Sequence, residues 1–110
     1  MSEKIIQKYI PLTEATYYIL LSMVEPTHGY KIMQNVEEMT SGKVKLGPGT
    51  LYGATSKLVK DELIVQVLTE EERRKSYKLT SLGRQILKLE YERLKLQVRD
   101  GKEILENMED

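Results

Sequence analysis

Apolar residues in the first half of the chain recur at helical spacing, and the first such stretch covers residues 13–25 (TEATYYILLSMVE). Thr13 is placed to cap its start, and Glu14 suits the positive end of the helix dipole. Its buried stripe is predicted to consist of Leu12, Ala15, Ile19, Leu20 and Met23. Residues 1–11 show a looser pattern with Ile5, Ile6, Tyr9 and Ile10, so we expect an arm that either packs on a partner or frays.

A second helix is predicted over residues 28–39 (HGYKIMQNVEEM), between breaks at Pro26 and Gly42. Its buried positions are predicted to be Ile32, Met33, Val36 and Met39. His28, the only histidine of the chain, lies at the start of this helix. A lone histidine lacks the partners of a catalytic triad or a metal site, so we interpret it as structural or as a local hydrogen-bonding residue.

The third helix is predicted in the stretch 46–64 (LGPGTLYGATSKLVKDELI), where proline at position 48 favours a helix start. The stripe predicted to be buried is Leu51, Ala54, Thr55 and Leu58. The opposite stripe is small, hydroxylic and basic, and it consists of Gly49, Gly53, Ser56 and Lys60, flanked by Tyr52 and Lys57. Such a face suits a DNA groove, although an ordinary amphipathic helix with a solvated face shows the same pattern.

Two short strands are predicted next, residues 64–68 and 76–79, joined by the polar turn 69–75 (TEEERRK). Three helices followed by a β-hairpin are typical of the winged helix-turn-helix. The fold is therefore predicted to be mainly α with a small hairpin, and we assign residues 1–80 to a winged helix-turn-helix domain. The basic run Arg73, Arg74 and Lys75 falls on the wing, where contacts to DNA phosphates are expected.

A long last helix is predicted from residue 81 onward, because no proline follows in the chain. Its apolar positions are spaced 4, 3, 4, 3, 4, 3 and consist of Leu87, Tyr91, Leu94, Val98, Gly101, Leu105 and Met108. This heptad seam predicts that residues 81–110 form a dimerisation helix with a second copy of the chain. A separate stripe of Leu82, Ile86 and Leu89 is expected to pack back on the domain.

The charge of the chain is unevenly distributed, although 17 basic residues balance 17 acidic ones. Residues 41–60 carry four lysines and no acid, and residues 73–88 carry six basic residues and no acid. Because all the carboxylates lie elsewhere, we expect one basic face that attracts phosphate.

Composition argues against several other classes of protein. The absence of cysteine excludes disulfides and thiolate metal sites, and no apolar run is long enough to cross a membrane. We therefore expect a cytoplasmic protein without metal or cofactor. An enzyme is disfavoured because one histidine and scattered acids offer no convergent catalytic group, and we interpret Glu70, Glu71 and Glu72 as solvated.

Three motifs together resemble the PadR-type transcriptional regulators, in the short subgroup with a single C-terminal helix. They are His28-Gly29-Tyr30, the segment 46–52 (LGPGTLY), and the segment 73–80 (RRKSYKLT) leading to Gly83. The resemblance covers about residues 12–95.

This resemblance implies a homodimeric winged helix-turn-helix repressor of a double-stranded DNA operator. It implies backbone contacts by Thr50 and Tyr52, groove contacts by Ser56 and Lys57, and wing contacts by residues 73–75. It leaves open whether a small-molecule effector is a further partner. The alternative function is a winged-helix module that binds another protein, and steep salt dependence of DNA binding would discriminate between the two.

Overall fold

The computed structural model describes residues 2–67 and 75–109. Along the chain, the elements are α1 (Ser2–Tyr9), α2 (Glu14–Leu21), β1 (Thr27–His28), α3 (Gly29–Met39), α4 (Pro48–Lys60), β2 (Ile64–Val67), β3 (Ser76–Leu79) and α5 (Ser81–Glu106). This arrangement confirms the predicted fold, a mainly α winged helix-turn-helix followed by a long C-terminal helix.

The N-terminal arm is a helix that packs on its own domain, whereas the sequence predicted an arm that packs on a partner or frays. In α1 the side chains of Ile5 and Ile6 pack against the core, and Tyr9 is buried within it. These positions lie on one helical face, so tertiary packing stabilises a segment that is too short to be a stable helix alone.

Two helix starts behave as their sequences predict. The Thr13 hydroxyl accepts a hydrogen bond from the N–H of Thr16 and caps α2, while Pro48 occupies the first turn of α4. Helix α2 ends at Leu21, earlier than the predicted residue 25. Ser22 caps this end, and its hydroxyl donates a hydrogen bond to the Ile19 carbonyl, while proline at position 26 disfavours a helical conformation only at residue 25.

The β-hairpin is part of a three-stranded antiparallel sheet in the order β1-β3-β2. Strands β2 and β3 pair with Ile64 opposite Leu79, as the predicted hairpin requires. Leu68, predicted to end the first strand, and the turn residues 69–74 lie outside the described residues.

The third strand, β1, was not predicted from the sequence. It consists of Thr27 and His28, which pair with Tyr77 and Ser76 of β3. Two residues are too few to produce an alternating pattern, so only the pairing partner reveals this strand. The pairing places the start of α3 beside the wing.

The core combines residues from all the helices and from the sheet, and two predicted members lie elsewhere. Met39 is 46% exposed, because it lies at the rim of an open depression beside Leu21 and Val24. Leu89 is also exposed, so the predicted stripe of Leu82, Ile86 and Leu89 is wrong in part. The face of α5 that packs on the domain instead contains Gly83, Ile86, Leu87 and Glu90.

Candidate nucleic-acid interface

Helix α4 is held by its buried stripe and presents its other face to solvent. Leu51, Thr55 and Leu58 are buried, as predicted, and the Thr55 hydroxyl donates a hydrogen bond to the Tyr52 carbonyl. The exposed residues include all the positions of α4 that sequence analysis assigned to DNA: Gly49, Thr50, Tyr52, Gly53, Ser56, Lys57 and Lys60.

The glycines of this exposed face leave the backbone open to a close approach. A Cβ built on Gly49 or Gly53 would have no heavy atom of the described chain within 4 Å, apart from local helix backbone. No packing requirement of the described protomer therefore demands glycine at either position. Because no side chain in the described ranges covers these glycines, the backbone on the exposed face of α4 is accessible to another macromolecule.

A cleft of about 480 Å³ separates α4 from the start of α3 and from β3. Tyr52 and Ser56 line it from α4, Tyr30 from α3, and Lys75 from the base of the wing. Tyr30 is 64% exposed and was not predicted to contact DNA, although it belongs to the His28-Gly29-Tyr30 motif. The cleft joins a cationic side chain and hydroxyl groups on one surface.

The structural interpretation of His28 is supported by its contacts. Its Nδ1 atom accepts a hydrogen bond from the N–H of Lys31 at 3.3 Å and caps the start of α3. Its backbone also belongs to β1. The residue therefore joins the sheet to α3 and positions Tyr30 beside the cleft.

The far end of α4 is closed by a Schellman motif. The N–H of Leu63 donates to the Leu58 carbonyl, and the N–H of Glu62 donates to the Val59 carbonyl. Glu62 adopts a left-handed backbone conformation with φ 63°, as this motif requires. Leu58 and Leu63 are both buried and anchor this end in the core.

Thr80 connects this end of α4 to α5. Its hydroxyl donates to the Glu62 carbonyl at 2.6 Å and accepts a hydrogen bond from the N–H of Gly83 at 3.0 Å. Its backbone N–H donates to the Leu63 carbonyl at 3.0 Å. The orientation of α5 is therefore tied to the end of α4 by short hydrogen bonds.

Asp61 joins α4 to α1 on the side away from the cleft. Its carboxylate accepts a hydrogen bond from the Tyr9 hydroxyl at 2.6 Å and contacts the Lys8 ammonium at 3.1 Å. The hydrogen bond from Tyr9, followed by that from Lys8, holds the pKa of Asp61 below its usual value. Burial and the neighbouring Asp61 carboxylate raise the pKa of Tyr9.

Lys57 leans toward α1 and away from the wing. Its ammonium lies 5.4 Å from the centre of the Tyr9 ring, within the range of a cation–π contact. Of the predicted wing residues, Lys75 is exposed, whereas Arg73 and Arg74 lie outside the described residues. Lys75 lines the cleft with Tyr52 and Ser56, whereas Lys57 lies beside Tyr9 of α1, so the two lysines flank different sides of α4.

The predicted dimer seam divides into two parts. Leu87 is 8% exposed and belongs to the core of its own protomer, so it leaves little surface for a second copy. Leu94 and Gly101 are partly exposed. The exposed members of the seam are Tyr91, Val98, Leu105 and Met108.

Within residues 2–67 and 75–109, no group of three or more histidine or acidic side chains is arranged to hold a metal ion. Glu70, Glu71 and Glu72 lie outside these ranges. No helix in the described part of the chain is both long and apolar enough to span a membrane.

The fold and the exposed α4 define a winged-helix protein. The sequence profile of the PadR-like family of transcriptional regulators matches residues 18–89. The chain belongs to this family and is a transcriptional regulator.

Solved structures of similar chains agree with this assignment. A transcriptional regulator from Clostridium thermocellum is 25% identical with a TM-score of 0.66, and the match covers 96% of this chain and 99% of that one. A PadR-like transcription factor from Bacteroides fragilis is 26% identical, also with a TM-score of 0.66, over 82% and 88% of the two chains. A PadR family regulator from Eggerthella lenta shares the fold, with a TM-score of 0.70 at 17% identity, and the match covers 97% of this chain and 93% of that one.

One curated relative is much longer than this chain. An uncharacterized 37.1 kDa protein of transposon Tn4556 from Streptomyces fradiae is 36% identical over 78 residues. The match covers 70% of this chain and 22% of the relative.

Proposed function

We propose that the chain is a cytoplasmic, sequence-specific DNA-binding repressor that occupies a pseudo-palindromic operator as a homodimer. The observation that carries this proposal is the exposed face of α4, which is small, hydroxylic and basic from Gly49 to Lys60. A helix anchored on one side and open on the other is the element that winged-helix proteins insert into the major groove. Repression follows from occupation of a promoter and needs no catalytic group.

Phosphate contacts supply much of the affinity in this proposal, and base contacts supply the discrimination. Thr50, Tyr52 and Lys75 are exposed around the cleft side of α4 and are suited to phosphate oxygens. Ser56, beside the open Gly53, is suited to the base edges, because glycine permits the backbone to approach closely.

The dimer in this proposal forms through the far half of α5. Its 26 residues correspond to a length of about 39 Å, more than the domain beneath it covers. Beyond Glu90, which is the last buried residue of the helix, exposed apolar side chains continue at heptad spacing through Tyr91, Val98 and Leu105. A second α5 would cover them, and two-fold symmetry would present two copies of α4 to two half-sites.

Selection of bound fragments from random genomic DNA tests this function. The expected result is recovery of one pseudo-palindromic sequence, bound far more tightly than scrambled DNA, with affinity that falls steeply as salt increases. Failure to bind any duplex at low salt would contradict the proposal. Capture of a protein partner through the same face would then favour the interaction-module alternative.

A further inference from the structure

We propose that α1 forms a second phosphate-binding flank of the DNA interface, on the side of α4 opposite the wing. This inference rests on the proposed DNA-binding function and adds to it Lys4 and Lys8, which sequence analysis did not assign to a partner. The ligand is the sugar-phosphate backbone of double-stranded DNA, beside the groove that α4 enters.

The first support is the contact between α1 and the end of α4. Asp61 holds α1 in place by accepting the Tyr9 hydroxyl at 2.6 Å and the Lys8 ammonium at 3.1 Å. The Asp61 side chain is largely buried, whereas the Lys8 side chain is half exposed. The carboxylate thus acts as an anchor beneath the surface, while the lysine remains accessible to a phosphate.

The second support is the placement of cations around one ring. The ammonium groups of Lys8 and Lys57 lie 5.9 Å and 5.4 Å from the centre of the Tyr9 ring. Lys8 comes from α1 and Lys57 from α4, so the ring brings together charges that are remote in sequence. Lys57 is therefore part of this flank, well separated from the wing.

The third support is the balance of charge. Lys4 precedes Lys8 by four residues, so both lie on one flank of α1, and both are exposed. Lys60 continues the exposed stripe of α4 toward the same end. With Lys57, this flank carries four lysines against three carboxylates, those of Glu3, Asp61 and Glu62, which leaves a small net positive charge that suits phosphate.

The flank also fits the geometry of a helix in the major groove. A helix in this groove has one sugar-phosphate strand on each side. The wing residue Lys75 lies on one side of α4, and the cluster around Tyr9 lies on the other. Contacts on both sides would hold α4 centred in the groove.

The test uses Lys4→Ala, Lys8→Ala and the variant that combines these two substitutions. The control is Lys102→Ala, which removes one positive charge near the far end of α5. Each of the first two substitutions should weaken operator and non-specific DNA alike, by about two- to fivefold. The slope of log K against log salt should fall by about 0.9 for each phosphate that the variant no longer neutralises. Lys102→Ala should leave affinity and slope unchanged.

Tyr9→Phe separates a phosphate contact from a purely structural role of α1. It removes the hydrogen bond to Asp61 while keeping every lysine, so the salt slope should remain that of the wild type. If the double lysine variant keeps the wild-type affinity and slope while the wild type binds its operator, the α1 flank is excluded and the proposed function stands. If the wild type binds no duplex, both proposals fail together.

Discussion

The Cα atom of Gly83 lies against the carbonyl group of Leu63, so closely that a Cβ on Gly83 would be only 2.0 Å from the Leu63 oxygen. This contact joins the first turn of α5 to the residue that ends the α4 Schellman motif. A backbone atom cannot rotate away as a flexible side chain can. Glycine at position 83 is therefore required by packing, and α5 takes its direction from the end of α4.

Gly83→Ala is expected to destabilise the fold, by about 1–3 kcal/mol or more, because the added methyl group overpacks a backbone contact. Gly53→Ala is the matched control, since its Cβ would enter open space within a helix. The control should stabilise the free protein by about 0.8–1 kcal/mol. Urea denaturation of both variants measures the change in the free energy of unfolding, which should fall for Gly83→Ala and rise for Gly53→Ala. Equal changes in the two variants would contradict the contact at Gly83.

Gly53→Leu is expected to leave folding intact and to abolish tight operator binding, because the larger side chain would project from the exposed face toward the duplex. Tyr52→Phe is the control on the flank of the same helix. It should cost no more than one hydrogen bond to phosphate, about 0.5–1.5 kcal/mol, or up to about 3 for a charged acceptor. Titration of the selected operator by fluorescence anisotropy measures the affinity of each variant. If Gly53→Leu binds as tightly as the wild type, the stripe of Gly49, Gly53, Ser56 and Lys60 does not face the groove.

Glu90→Gln is expected to destabilise the fold at neutral pH by about 1–3 kcal/mol, because it removes a buried carboxylate that has two partners. Glu90 is 1% exposed, and its side chain accepts hydrogen bonds from the Leu12 N–H at 2.8 Å and from Arg93. The bond from Arg93, and then the Leu12 N–H, lower the pKa of Glu90 although burial opposes the shift.

The stability lost in Glu90→Gln should be larger at neutral pH than in acid. With the pKa of Glu90 lower in the folded protein than its ordinary value of 4.5, the ionised form contributes stability that is fully present above pH 4.5. The contribution disappears as the pH falls through the lower, folded value. Denaturation curves at pH 7 and below pH 4.5 should therefore show the difference in stability between wild type and Glu90→Gln narrowing in acid, and a constant difference would exclude this role.

Val98→Asp is expected to dissociate the proposed dimer, because it places an unpaired charge in an apolar contact at a cost of several kcal/mol. Val98 is 69% exposed in the protomer, so the substitution should not disturb the domain. Leu94 is a poorer site for this test, since it is partly buried already. Leu96→Asp, on the opposite face of α5, is the control, and light scattering should show a monomer only for Val98→Asp.

Replacement of Arg73, Arg74 and Lys75 by alanine is expected to weaken operator and non-specific DNA by similar factors, because phosphate contacts carry little sequence information. The salt slope should fall by about 0.9 for each phosphate that the wing no longer neutralises. Binding titrations across a range of salt concentrations measure both effects. Unchanged affinity and slope would exclude the wing from the interface.

The amino-acid sequence by itself determined the elements whose signals are local. Helical spacing predicted the buried residues Leu51, Thr55 and Leu58, and cap chemistry predicted the starts at Thr13 and Pro48. The β-branched and apolar runs around a polar turn predicted the hairpin. Each of these features depends on residues that are close together in the sequence. A local pattern of residue types is therefore enough to predict it.

Tertiary structure alone decided the features that join remote residues. The pairing of β1 with β3, the helical state of α1 and the Tyr9–Asp61 hydrogen bond depend on segments separated by about fifty residues. Leu87 satisfies a heptad pattern, yet it is buried in its own domain because α5 begins on the core and leaves it only after Glu90. Periodicity identifies the apolar face of a helix, but only the packed chain decides which surface covers that face, because burial depends on neighbours that are distant in sequence.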